Sequence, residues 1–262
     1  MSRLKRLSWG LLTLLGLVLL GACSAWIASE AYVPSGSSTI LLWQWGAVLA
    51  SLLIMALWAG HAANGRWIGV LIDERNRISL ARLQWLLWFL VLFSAYFTGA
   101  VWDVAFGDLP AVEANLFAVI GLTTGSAVLA NVMTENKKSD QSPTPNAVPP
   151  PQLPSLGPPP QDPDALRMGK AAMNALPENA SFADLYLGEE VTNRQSVDPA
   201  RLQKLVITFL LVTVYAEMLW SAFVDAAGTY HAFSMPVVGT NFLGMMGISH
   251  TAYLVSKASP RQ

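Results

Sequence analysis

Residues 82–103 read RLQWLLWFLVLFSAYFTGAVWD. No charged side chain lies between Arg82 and Asp103, and the run over 84–102 is about the length an α-helix needs to cross ~30 Å of hydrocarbon. Backbone polar groups in lipid must bond within their own segment, so such a run is a helix. Its flanks differ in sign. Arg75, Arg77 and Arg82 precede it, and Asp103 follows.

The same pattern recurs over 8–29, 40–60, 114–133, 205–224 and 237–256. The expected fold is therefore all-α: a polytopic transmembrane helical bundle of about six spans. A chain that is 53% hydrophobic and 13% charged is poorly matched to a soluble domain. Every cation falls in alternate gaps: Arg3, Lys5 and Arg6, then Arg66, Arg75, Arg77 and Arg82. Lys137, Lys138, Arg167, Lys170, Arg194, Arg201 and Lys204 follow, and Lys257 and Arg261 close the chain. The intervening loops 30–39, 103–113 and 225–236 hold only Glu30, Asp103, Asp108, Glu113, Asp225 and His231. Cationic loops remain cytoplasmic, which places both termini on the cytoplasmic side of the membrane if the first span is uncleaved. Trp9, Trp58, Trp85 and Trp88 fall near inner boundaries, and Trp26, Trp43, Trp45, Trp102 and Trp220 near outer ones. Indole favours that headgroup level.

The lone cysteine, Cys23, excludes an intrachain disulfide. A basic start, an apolar run and Leu20-Gly21-Ala22-Cys23 resemble a bacterial lipobox, which would make Cys23 a lipidation site. The other reading is an uncleaved first span, because apolar character continues through Ala25-Trp26-Ile27-Ala28.

Four regions follow: a two-span region (1–62), an interfacial segment plus two spans (63–133), a proline-rich linker with a short helical patch (134–198), and two further spans (199–262). The second and fourth resemble one another. Ser79-Leu80-Ala81-Arg82-Leu83-Gln84 aligns with Asp198-Pro199-Ala200-Arg201-Leu202-Gln203, and Asn115, Gly121 and Thr123 align with Asn241, Gly247 and Ser249. The expected repeat is parallel, over 84–133 and 202–257. Ser79 and Asp198 are N-cap residues, and Pro199 suits the first helical position. Arg82 and Arg201 occupy first turns, where the helix dipole disfavours cations. Lipid phosphates or an acidic partner are expected to offset them; the plainer reading is that both only fix topology. Gly121 and Gly125, Ala95 and Gly99, and Gly244 and Gly247 provide small faces for packing within the chain, with homo-oligomerisation as the alternative.

The segment 143–163 carries ten prolines and is expected to be an extended tether. Residues 165–176, with Leu166, Met168, Met173 and Leu176, are expected to form a short amphipathic helix. Residues 181–187 are expected to form a helical turn capped by Ser181. Trp67, Ile68, Val70, Leu71 and Ile72 give an interfacial apolar face.

Arg77-Ile78-Ser79-Leu80-Ala81-Arg82-Leu83-Gln84, Asp184-Leu185-Tyr186-Leu187-Gly188-Glu189-Glu190 and Gly247-Ile248-Ser249-His250-Thr251-Ala252-Tyr253-Leu254 resemble signatures of a group of uncharacterised bacterial multi-pass inner-membrane proteins. That resemblance implies bacterial origin and a helical membrane architecture. It assigns no catalytic residue.

Ionisable residues inside spans point to function because burying them is costly. Glu217 and His250 qualify, with Thr123, Thr124 and Ser249 as further oxygen ligands of a polar seam. Those hydroxyls can equally bond back to their own helix. The three histidines, His61, His231 and His250, lie in different environments, which argues against a metal centre. No phosphate loop, dinucleotide fingerprint, metalloprotease helix or nucleophile elbow is present in the sequence. Catalytic, cofactor-binding and metal residues are accordingly expected to be none. The cations are dispersed and matched by acids, so nucleic acid is not an expected partner. The expected function is a non-catalytic membrane component that assembles with itself or with a cytoplasmic protein. The alternative is a channel or permease for ions or a small solute.

Overall fold

A computed structural model of the chain describes residues 3–32, 36–139, 165–168, 170–191 and 193–258. The tether expected over 143–163 lies outside them. Six long helices form the bundle: α1 (Arg3–Tyr32), α2 (Ile40–Asn64), α3 (Leu80–Asp103), α4 (Ala114–Ser139), α5 (Pro199–Thr229) and α6 (Thr240–Ala258). Among the described residues, five helices are long and apolar enough to cross a membrane: Leu14–Tyr32, Ile40–Asn64, Leu80–Phe106, Ala114–Ser139 and Pro199–Thr229. The chain is a multi-pass membrane protein with a helical-bundle fold.

The last helix differs from the span expected over 237–256. At 19 residues, α6 is the shortest of the six, and Asn241, Ser249, His250, Thr251 and Lys257 dilute its apolar character. Its buried face, Met246, Ser249, His250, Tyr253 and Lys257, packs against α4 and α5. This polar face is therefore turned into the bundle.

Each helix starts and stops where its local chemistry dictates. The Ser79 hydroxyl accepts from the Arg82 amide, and an Asp198 carboxylate oxygen accepts from the Ala200 amide at 3.0 Å, with Pro199 at the first position of α5. Tyr230 adopts left-handed φ 51° to end α5. The 31 residues of α5 span about 46 Å at 1.5 Å each, well beyond ~30 Å of hydrocarbon. Its first turns consequently project from the apolar zone.

Two apolar clusters hold the bundle. The larger one joins Ile27, Leu41, Val48, Trp88, Ala95, Tyr215 and Phe223 from α1, α2, α3 and α5. The Trp45 indole donates to Ser94 Oγ at 2.9 Å, so its polar edge is satisfied inside. Cys23 lies within an unbroken α1, buried, with its sulfur 3.7 Å from Ser51 Oγ. At the cation-poor end, Asp103 accepts from the Phe233 amide at 2.6 Å, and the Trp102 indole donates to the His231 carbonyl at 3.0 Å. These bonds pin the α5–α6 loop over α3.

Several local expectations change. Residues 165–176 do not form a helix. Ala165–Met168 (β1) and Ala171–Asn174 (β2) make an antiparallel hairpin, and the Ala172 amide donates to the Glu189 carbonyl at 2.9 Å. Tertiary pairing has overridden helical periodicity there. Trp67–Leu71 is a 3-10 helix, with the Trp67 ring stacked on His61 at 4.6 Å. The turn expected over 181–187 is present: Phe182–Leu185 is a 3-10 turn capped by Ser181, with Asp184 completing the capping box.

The glycines separate into two kinds. Gly60 and Gly69 touch through backbone, and a Cβ on Gly60 would lie 2.5 Å from the Val70 nitrogen. A Cβ on Gly121, Gly125, Gly244 or Gly247 would meet nothing within 4 Å, so these four are not packed against other described residues. Gly60→Ala should lower stability by about 1–3 kcal/mol through overpacking, whereas Gly121→Ala should be neutral or slightly stabilising. Thermal unfolding of the two variants in detergent checks this; equal melting temperatures would contradict the contact.

Candidate functional site: a buried ionic hub

Charged residues rarely lie fully inside a protein unless they are paired. At the cation-rich end, five cations (Arg75, Arg77, Arg201, Lys204 and Lys257) and four carboxylates (Asp184, Glu189, Glu190 and Asp198) are buried among the described residues. Their positions follow from local structure. Over 73–77 the chain makes a tight turn: the Asp73 amide donates to the Arg77 carbonyl at 2.9 Å, and Asp73 Oδ1 accepts from the Arg75 amide. Asn76 sits at its apex with φ 56°, tolerable for asparagine. The turn carries Arg75 and Arg77 on its two limbs and is stitched to the hairpin by Asn76 and Asn174, each donating to the other's carbonyl at 2.9 and 2.8 Å. On α5, Arg201, Lys204 and Thr208 recur at i, i+3, i+7; on α6, His250, Tyr253 and Lys257 do the same. Both sets face inward.

Glu189 is the convergence point. One carboxylate oxygen accepts from Arg201 and lies 3.5 Å from Arg75; the other is 2.8 Å from the Lys257 ammonium. Its neighbours extend the network. Arg77 donates to Asp184 Oδ1 at 2.9 Å and to the Gly188 carbonyl at 2.8 Å. The other Asp184 oxygen accepts from the Ile78 and Ser181 amides. Arg201 also donates to the Asp184 and Leu185 carbonyls, and Lys137 pairs with Glu190. Lys204, 0% exposed, has neutral partners: it donates to Ser126 Oγ at 3.1 Å and stands 3.7 Å from the Tyr253 ring centroid. The hub thus joins the 73–77 turn, the 170–198 patch and the ends of α4, α5 and α6.

Burial by itself would push the Glu189 carboxyl up, but Lys257, Arg75 and Arg201 outweigh it and hold the group well below its ordinary 4.5. Burial also works against the Arg75 guanidinium, yet Glu189 and Asp73 raise it above its ordinary value. Both groups are ionised at neutral pH.

The sequence-predicted residues fall into separate places. His250, Ser249 and Thr123 are buried in the α4–α6 side of the bundle, whereas Glu217 and Thr124 are exposed on outward faces. The expected seam therefore lacks Glu217 and Thr124. Thr123 Oγ1 donates to the Val119 and Ile120 carbonyls of its own helix. Ser249 Oγ and His250 Nδ1 are buried without a hydrogen-bond partner. Arg201, read as a lipid-phosphate or partner contact, is 3% exposed, and its acid is Glu189 of the same chain. Arg82 is half-buried and donates to the Ile72 carbonyl at 2.5 Å. The two arginines of the expected repeat thus have different roles.

Sequence reasoning did not single out Glu189, Asp184, Lys204 or Lys257 as site residues. The i, i+3, i+7 polar stripes on α5 and α6 were the available signal, because a cation on the inward face of a helix requires a partner. Each of the three resemblance motifs contributes a member: Arg77, then Asp184 with Glu189, then Tyr253. Among the described residues, no three His, Cys, Asp or Glu side chains gather as metal ligands. The space beside Glu189 and Lys257 is a slot of about 10 Å³, roughly one water. Compared with protein-family models, curated proteins and solved structures, the chain matches none of them.

Glu189→Gln leaves Arg201 and Lys257 buried without their anion, while Arg75 keeps Asp73 at 2.7 Å; the change is worth about 3–5 kcal/mol. The variant should release the patch and speed trypsin cleavage at Lys170 and Arg194, while Glu178→Gln on its surface should not. A depressed carboxylate pKa stabilises the folded state above the ordinary 4.5, and the contribution fades as pH falls toward the folded value. Patch protection should accordingly be flat above that pH and decline below it. Glu189→Gln should lose that decline; an unchanged profile would contradict the pairing.

Proposed function

We propose that this chain is a non-catalytic component of a bacterial inner membrane, with both ends and residues 134–198 in the cytoplasm, that assembles with a partner protein. The orientation rests on the confinement of all sixteen cations to alternate gaps. The observation that carries the function is how the charged groups are used. They bind one another and hold a small folded platform on the helix ends. On that platform Leu176, Phe182, Val191 and Val197 remain 56%, 59%, 48% and 53% exposed. Apolar side chains displayed on a polar, anchored surface favour protein contact. The proline segment joins α4 to this platform in sequence. The parallel repeat over 84–133 and 202–257 belongs to this reading as the scaffold. Its unpacked glycines on α4 and α6 offer a route to a second copy.

A second reading, a channel or permease for ions or a small solute, rests on Lys204, Ser126, Ser249 and His250. These polar groups lie inside the bundle, two of them with unpartnered atoms, and such atoms attract water or an ion.

A photo-crosslinking residue at Phe182, in native membranes, should give one discrete adduct. Phe182→Glu combined with Leu176→Glu should reduce recovery of the partner at least about tenfold, the scale of two exposed anchor residues, without impairing membrane insertion. Absence of any adduct, together with liposome flux that is lost on His250→Ala, would replace this reading with the second.

A further inference from the structure

Two clefts open between α3 and α4, one charged and one apolar, and we take the exposed face between them as one groove. At the cation-rich end, a cleft of about 350 Å³ lies between the start of α3 and the end of α4, walled by Asp73, Glu74, Arg75, Arg82, Glu135 and Lys138; Asp73 and Arg75 are paired with each other at 2.7 Å, which leaves Arg82, Glu74, Glu135 and Lys138 to face an occupant. At the far end, Phe93, Tyr96, Leu116, Phe117 and Ile120 enclose an apolar cleft of about 210 Å³. Aromatic rings connect the two along α3. Trp85 stacks on Phe89 at 5.1 Å and Phe89 on Phe93 at 4.5 Å, with Trp85 40% and Phe93 51% exposed. On α4 the helical spacing places Thr124 and Val128, both exposed, between the clefts. A side chain on Gly121 would meet no neighbour, so that stretch of the groove is open.

Length and charge both restrict the occupant. From Arg82 to Phe93 the helix rises about 16 Å, close to the ~15 Å of one leaflet's acyl chains. In the charged cleft, Arg82 gives Nη1 to the Ile72 carbonyl, one of the five N–H groups a guanidinium carries. Lys138 is shared by Glu74 at 2.8 Å and Glu135 at 2.7 Å, and these carboxylates are 72% and 61% exposed. A carboxylate accepts several bonds, so both retain acceptor capacity toward the opening. The cleft therefore offers a phosphate-binding fork beside two carboxylates. Purely anionic headgroups are repelled by the carboxylates, and a quaternary ammonium has no N–H to donate to them.

We propose that this groove binds one phospholipid with a primary-amine headgroup. Its phosphate lies on Arg82 and its ammonium on Glu74 and Glu135, and one acyl chain follows the Trp85–Phe89–Phe93 stack into the apolar cleft. The lipid thereby fills the groove between α3 and α4.

Native mass spectrometry of the full chain tests this, after equilibration with equal amounts of phosphatidylethanolamine, phosphatidylcholine and phosphatidylglycerol of identical acyl chains. One phosphatidylethanolamine per chain should be retained, about tenfold over each of the others, as expected when a charge-assisted bond is made or lost. Glu135→Gln should erase that preference, and Arg82→Gln should reduce retention of all three lipids. Val128→Trp, which places an indole in the groove, should abolish retention, while Val214→Trp on the exposed face of α5 should leave it intact. Equal retention of the three lipids by the unmodified chain, preference for phosphatidylglycerol, or retention unaffected by Val128→Trp would overturn the proposal.

Discussion

The carboxylate of Glu189, facing Arg75, Arg201 and Lys257, is the interaction on which the cation-rich end depends. Each of those cations would carry a desolvation cost of several kcal/mol if buried alone. Glu189 faces all three at once, with Asp73 sharing Arg75, and its position is set by backbone pairing with the hairpin. The stability of the helix ends and the fold of the patch are consequently coupled. Neither can loosen without exposing the other's charges.

That coupling explains why α5 is so long and α6 so polar. The first turn of α5 carries Arg201 to the patch, Lys204 one turn on faces into the bundle toward Ser126 and Tyr253, and the last turn of α6 brings in Lys257, where the helix dipole favours a cation. The opposite end is built differently. There the aromatic rings of Phe223 and Phe233 stack at 4.4 Å, and one buried carboxylate, Asp103, fixes the loop. The bundle is thus closed by charge at one end and by aromatic packing at the other.

Much of the bundle was legible in the sequence because its signals are local. Uninterrupted apolar runs gave the spanning helices, and Ser79, Asp198 and Ser181 marked helix starts through cap chemistry that needs only neighbouring residues. The hairpin was not legible. Leu166, Met168, Met173 and Leu176 fit a helical stripe, and the pairing of Ala172 with Glu189 that decides otherwise is a contact distant in sequence. The hub was hidden for the same reason: its members come from five segments spread over residues 75–257. Positive charges also serve to orient spans, so charge and cap position alone do not distinguish Arg201, which is buried on Glu189, from Arg82, which faces a cleft; only the polar stripe that Arg201 opens on α5 does. Glu217 shows the converse. It looked costly inside a span, but it lies on an outward face away from the polar seam.

Hydrogen–deuterium exchange on the intact chain in micelles tests most directly whether the ionic hub holds the patch as a folded unit. The Ala172, Asn174 and Asp198 amides, bonded to Glu189, Arg75 and Tyr186 carbonyls, should exchange as slowly as the first turns of α5. Exchange of these amides at the rate of an unstructured chain, with α5 still protected, would contradict the account.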